Sequence, residues 1–125
     1  MLEPELFGRE RVLQAAQQLE QLVFLGTNTN MTAELAHLVV PTAVYAEKDG
    51  TFTNFEGRVQ RVWAALNPAG DAKPDWMVLT ELAGRLGVPV AFPDAATIFA
   101  ELAAHERPFK GLTYQAIGHQ GASIT

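Results

Sequence analysis

Two unbroken apolar runs constrain this chain more than any other feature. Leu22-Val23-Phe24-Leu25 ends at Gly26, and Leu38-Val39-Val40 is stopped by Pro41. A strand covered on both faces reads as a continuous apolar run, whereas a half-exposed strand alternates, so both runs are expected to be buried parallel strands. Between them, Thr27-Asn28-Thr29-Asn30 is rich in residues that cap helices, and Met31 to His37 holds good helix formers with no breaker. Ahead of them, Val12, Ala15, Ala16 and Leu19 recur at helical spacing between Arg9 and Glu20, with Gln14, Gln17 and Gln18 on the other side. Residues 9–40 therefore predict helix, strand, helix, strand, which is part of a parallel α/β sheet.

After Pro41 the pattern changes. Lys48-Asp49-Gly50 is a turn signal, followed by Thr51-Phe52-Thr53-Asn54 and by polar–apolar alternation from Arg58 to Trp63. Residues 41–70 are expected to form a long loop with extended segments. Beyond the Asn67-Pro68-Ala69-Gly70-Asp71 turn cluster, Trp76, Leu79, Leu82, Ala83 and Leu86 mark a helical stripe that Gly87 ends and Pro89 cannot continue. Asp94 is placed to cap a last long helix with Ile98, Phe99 and Leu102 facing inward, and Thr113 to Ile117 forms a short turn closing at Gly118. The expected organisation is one partial domain over residues 1–125: an α/β half at 9–40, the loop at 41–70 and a helical part at 71–121.

Composition excludes several functions. Nine basic against fourteen acidic residues give a net charge of −5 without a cationic cluster, so nucleic acid is not an expected partner. With no cysteine, the chain has no thiolate nucleophile and no cysteine ligand for an iron–sulfur cluster. His37, His105 and His119 lie at no recognised metal-binding spacing, and Ser123, the sole serine, has no nucleophile elbow around it. Neither catalytic nor metal residues are assigned. Met1-Leu2-Glu3-Pro4-Glu5 carries no basic region and no long apolar run, so the expectation is a cytoplasmic chain without membrane insertion.

The stretch from Leu38 to Gln60 is the most specific in the chain: an apolar strand ending in Pro41, small residues, Glu47, a Gly50-Thr51 turn, then Asn54-Phe55-Glu56-Gly57-Arg58-Val59-Gln60. It resembles a signature of the molybdopterin oxidoreductase superfamily. Asp75-Trp76 opening a helix that closes at Leu86-Gly87, and the Tyr114 to Gly121 run, are similar to segments downstream of that signature. The resemblance covers roughly residues 20–121. It implies an α/β fold, a partial Rossmann-like parallel sheet with flanking helices and a long extended loop, as a fragment of that superfamily's fold.

Within the superfamily, the wording of the signature is shared by formate-dehydrogenase-like catalytic subunits and by the large iron–sulfur subunit of NADH:quinone oxidoreductase, respiratory complex I. Members that bind molybdopterin guanine dinucleotide commonly carry Asp and Thr where this chain has Gly26 and Asn30. Loss of the carboxylate removes a charge-assisted acceptor for the cofactor, which favours the complex I subunit over the formate-dehydrogenase alternative. The resemblance then implies a structural role in an electron-transferring arm peripheral to the inner face of the membrane. Expected partners are the rest of the parent subunit and other subunits of the complex. No cofactor is expected in this chain alone; the parent would carry iron–sulfur clusters, with molybdopterin guanine dinucleotide under the alternative.

Asn28, Thr29, Asn30 and Thr32 are the candidate cofactor-contacting residues, because the end of a parallel strand before a helix is where open α/β sheets bind ligands. The same residues are also ordinary turn and cap chemistry. Glu47, Asp49, Glu56 and Arg58 are better read as ties between the loop and the sheet than as an acid–base set. Trp63, Trp76, Phe99 and Phe109 are read as core or interface anchors. A chain separated from neighbouring domains is expected to expose an apolar patch and to self-associate.

Overall fold

In a computed structural model, the chain is described over residues 8–124, so the reading of Met1–Glu5 lies outside the described residues. In chain order the elements are α1 (Arg9–Gln17), β1 (Val23–Gly26), α2 (Met31–Leu35), β2 (Leu38–Pro41), a 3-10 turn (Tyr45–Glu47), β3 (Gly50–Thr53) and β4 (Arg58–Val62). They continue with α3 (Asp75–Arg85), α4 (Ala95–His105), a second 3-10 turn (Arg107–Phe109), α5 (Tyr114–Ile117) and β5 (Ala122–Ser123). Strands β1 and β2 pair in parallel, Val23 opposite Leu38 and Gly26 opposite Pro41. This is the expected helix–strand–helix–strand unit, as two strands of a parallel sheet.

Its helices are shorter than their periodicity implies. Helix α1 stops at Gln17, burying Val12 and Ala16 while Ala15 and Leu19 stay exposed. Helix α2 stops at Leu35 because His37 is used elsewhere: its Nδ1 accepts the Leu22 amide at 2.9 Å, and its own amide donates to the Leu22 carbonyl at 2.8 Å. His37 thereby fixes the start of β1 beside the start of β2. The two strands are not covered on both faces, for Val23, Leu38 and Val39 are all exposed. The described residues do not supply the second layer that such apolar runs call for.

The long loop expected at 41–70 contains a hairpin. Strands β3 and β4 pair antiparallel, Thr51 opposite Arg61 and Thr53 opposite Val59, and β5 joins the other edge of β4. The main core lies against this second sheet. Val59, Phe99, Ala103 and Ile117 form it, with Phe109, Leu112 and Tyr114 packed around them. The Phe99 ring meets Phe109 edge-on at 6.1 Å and Tyr114 at 5.5 Å, so three consecutive elements, α4, the second 3-10 turn and α5, share one aromatic cluster.

Capping follows the sequence closely. The Asp94 carboxylate accepts the Thr97 amide at 2.7 Å, and Thr113 Oγ accepts the Ala116 amide at 3.0 Å. At the end of α3 the Val88 amide reaches back to the Ala83 carbonyl and the Gly87 amide to that of Gly84, a Schellman closure with Gly87 at φ +79°. Leu102, expected to face inward, is exposed, and Ala103 takes the buried place on α4. No described helix is long and apolar enough to cross a membrane.

Candidate functional site

The loop joining β1 to α2 carries the four candidate residues, and the structure divides them. Asn30 is the N-cap of α2, its Oδ1 accepting the Ala33 amide at 3.1 Å. Thr32 is buried in the first turn of that helix and is engaged there. Asn28 and Thr29 lie exposed beyond the carboxyl end of β1, and their side chains make no hydrogen bond among the described residues. Of the four candidates, these two present side chains wholly unused among the described residues, while Asn30 keeps only its amide nitrogen free. An amide and a hydroxyl can each donate and accept, which suits a neutral polar heterocycle or a phosphate oxygen.

Gly26 ends β1 just before this loop, and its carbonyl accepts the Thr42 amide at 3.0 Å. The Phe24 ring lies over it: a β-carbon at position 26 would overlap that ring. A side chain there requires the ring to swing away, so Gly26 and the position of Phe24 go together.

Downstream, most polar side chains of the signature are committed to backbone groups. Glu47 Oε2 accepts the Val44 amide at 3.0 Å, and Asp49 Oδ1 accepts the Ala64 amide at 2.9 Å. Asn54 Oδ1 accepts the amides of Glu56 and Arg58 at 3.0 and 2.9 Å, and Arg58 Nη1 donates to the Gln120 carbonyl at 3.3 Å. These residues shape the hairpin and tie it to β5, and no acid–base pair is left among them. Glu56, exposed at the hairpin tip, is the one carboxylate of the signature whose side chain makes no hydrogen bond among the described residues.

Sequence reasoning missed the partnership of Lys48 with Asp75. The Lys48 ammonium is paired with the Asp75 carboxylate at the N-terminus of α3, and buried Thr42 also hydrogen-bonds that carboxylate. The Ala43 amide donates to the Lys73 carbonyl at 2.9 Å alongside. The exit of β2 is therefore fastened to the start of α3, across more than thirty residues. Burial raises the Asp75 pKa, but the hydrogen bonds from Lys48 and Thr42 and the ammonium charge outweigh it and hold the carboxyl below its ordinary value. A lowered folded-state pKa contributes stability that is fully present above the unfolded value of about 3.9 and is lost as pH falls through the folded value. Asp75→Asn is thus expected to reduce stability at neutral pH and to flatten its decline in acid. Urea titrations of both proteins from neutral pH downward check this; parallel curves would remove Asp75 from the account.

A second unanticipated cluster surrounds Arg61. Its guanidinium lies 4.7 Å from the centre of the Trp63 ring and 4.5 Å from that of Tyr114, and Trp63 stacks on His119 at 5.2 Å. Burial raises the Tyr114 pKa, with the Arg61 charge opposing. Period-2 spacing puts Arg61 and Trp63 on the face of β4 that carries Val59, but nothing in the sequence brings Tyr114 and His119 to them. His105 pairs with Glu101 at 3.0 Å, so the three histidines serve three separate contacts. No metal-holding group of side chains occurs among the described residues.

Comparison with known proteins adds to this geometry. The family described as Molybdopterin oxidoreductase matches residues 8–85. The F420-dependent formate dehydrogenase 2 subunit alpha of Methanococcus maripaludis is 39% identical over 112 residues, 88% of this chain and 17% of that protein. The NADPH-Fe(3+) oxidoreductase subunit alpha of Geobacter sulfurreducens is 39% identical over 116 residues, 93% of this chain and 13% of that one. A putative formate dehydrogenase of Bacillus subtilis is 44% identical over 86 residues, 69% and 9% of the respective chains. Among solved structures, acetylene hydratase from Pelobacter acetylenicus superposes with a TM-score of 0.66 at 22% identity, over 86% of this chain and 15% of that one. The chain spans less than a fifth of the length of these relatives.

Proposed function

This chain belongs to the molybdopterin oxidoreductase family, with the mixed α/β fold of part of that family's architecture, and from that premise we propose that it is a portion of the large subunit of a formate-dehydrogenase-like, molybdopterin-dependent enzyme. The observation that carries the reading is 39% identity, over nearly nine-tenths of the chain, to the alpha subunit of a formate dehydrogenase. Its role is to form one wall of the cofactor-binding domain. The fastening of β2 to α3 and the fixed β3–β4 hairpin hold that wall rigid. The bound pterin would supply the metal-centred redox chemistry. Asn28 and Thr29 would hold it through neutral hydrogen bonds, and the Asn30 side-chain oxygen, used as a cap, is not available to it. Partners are other subunits of the complex, as the relatives' designation as alpha subunits suggests.

The complex I reading rests on Gly26 in place of a carboxylate, and the formate dehydrogenase relatives weigh against it. One experiment separates the two. The parent polypeptide carrying this chain is purified, its molybdenum, tungsten and pterin content is measured, and formate-dependent dye reduction is assayed. Stoichiometric pterin and metal are expected, and the Asn28→Ala, Thr29→Ala double variant should lower pterin occupancy severalfold while leaving the fold intact. A parent without pterin or metal would defeat the proposal and leave the complex I reading in its place.

A further inference from the structure

Arg61 holds a positive charge partly out of water with no anion to answer it. Its guanidinium is set against the Trp63 and Tyr114 rings, 4.7 and 4.5 Å from their centres. Its Nε is shut off from solvent and has no hydrogen-bond partner. Neither terminal nitrogen is hydrogen-bonded or ion-paired among the described residues, and neither is buried as Nε is. A guanidinium does not lose its proton at any ordinary pH, so partial burial cannot be relieved by neutralisation. Contact with the rings offsets part of the cost, and hydrogen bonds to an anion are what offset the rest.

The chain has carboxylates near by but has used them elsewhere. Asp49 and Asp94 lie close enough to act on the Tyr114 hydroxyl. Asp49 Oδ1 is held on the Ala64 amide at 2.9 Å, and Asp94 Oδ1 on the Thr97 amide and hydroxyl at 2.7 and 2.8 Å. Neither forms an ion pair with Arg61, whereas Lys48 and Lys73 each have a carboxylate of their own, Asp75 and Glu81. The two terminal nitrogens of a guanidinium present parallel N–H groups that fit the two oxygens of a carboxylate. A phosphate fits less well: it would bring a second negative charge towards Asp49 and Asp94, and the cluster of Arg61, Trp63, Tyr114 and His119 holds no second permanent cation.

We propose that Arg61 is a docking point for the rest of the parent subunit, its terminal nitrogens donating to an aspartate or glutamate side chain from outside these 125 residues. The inference rests on the reading of the chain as part of a larger subunit, of which it spans less than a fifth. The approach is open, since Trp63 and His119 beside the guanidinium are both exposed. The two rings hold the guanidinium in place beforehand, so little side-chain freedom is lost when the carboxylate arrives. Formed beside the rings and partly out of water, the pair is screened less by salt than one on an open surface.

Zero-length cross-linking of the parent polypeptide tests this. Arg61→Lys keeps the charge and the apolar stem but supplies an amine, which a carbodiimide joins to a carboxylate in contact with it, and peptide mass spectrometry identifies the pair. Wild type, which has no amine at this position, is the blank. The Lys48–Asp75 pair should be linked in both proteins, showing that reagent and fold are intact. The expected result is a link from position 61 to an aspartate or glutamate in the remainder of the subunit. With the Lys48–Asp75 link present, a link from position 61 only to Asp49, Asp94 or another carboxylate of this chain, a link only to a different subunit, or no link overturns the proposal. The readout is independent of pterin and metal content. A linked parent without cofactor would defeat the proposed function and leave this contact standing, and a loaded parent without the link would do the reverse.

Discussion

Replacing Phe99 by alanine is expected to remove about 3–5 kcal/mol of folding stability, the range for deleting a large aromatic from a packed core. Phe99 is 3% exposed, and its ring is the piece on which Phe109 and Tyr114 converge. Its removal withdraws one wall from each of them and leaves a hollow beside Val59 and Ile117 that the β-sheet cannot collapse to fill. Against the roughly 5–15 kcal/mol of an ordinary domain, that loss is a large fraction. Urea unfolding should show a much lower midpoint with little change in slope. Phe99→Leu should recover most of the difference. If both variants unfold like wild type, the core does not lie where the packing places it.

Gly121→Ala is expected to cost about 2–5 kcal/mol, from two separate causes. Gly121 has φ +79°, a region disfavoured for residues with a β-carbon. An added β-carbon would also lie 2.6 Å from the Val59 carbonyl oxygen and 2.9 Å from Gln60 Cγ. The first obstacle is backbone and cannot turn aside. The substitution therefore pries β5 from β4 at the pairs Val59–Ala122 and Arg58–Ser123 and weakens the Ile124–Gly57 hydrogen bond. Hydrogen exchange at the Ile124 amide should quicken together with the loss of stability. Gly70→Ala separates the causes, because Gly70 has φ +56° with nothing near its missing β-carbon. It should show only the conformational part, about 1–2 kcal/mol. Equal losses at the two glycines would remove the steric account.

Particular elements show why some of this was legible in the sequence and some was not. The caps at Asn30, Asp94 and Thr113 fall where their side chains announce them, since capping is a contact three residues long. The helix before Gly87 ends where its glycine and following proline require. Helix α2, by contrast, was expected to run to His37 and ends at Leu35, because the His37 ring is drawn to the Leu22 amide fifteen residues earlier. Period and propensity carry no term for that bond. The loop after Pro41 became a hairpin for a similar reason: β3 and β4 are short, and β4 is held by β5, a two-residue strand too brief to leave a pattern. Of the candidate site residues, Asn30 and Thr32 proved to serve the helix, while Asn28 and Thr29 face solvent at the strand end. A polar stretch in sequence does not say which of its members are already used.

The amino-acid sequence by itself determined the α/β spacing of residues 9–40, the helix boundaries set by caps and glycines, and, through the Leu38–Gln60 signature, the family. These rest on interactions between neighbours in the chain, or on a pattern that needs no partner to be read. Only the tertiary structure decided that Lys48 and Thr42 would meet Asp75, that Arg61 would lie over both Trp63 and Tyr114, that Val59 would centre the core, and that Phe55 would be left in water. Each depends on which distant segments the packed chain brings within a few ångströms, and hydrophobic burial, being non-directional, leaves that choice to the fit of the whole.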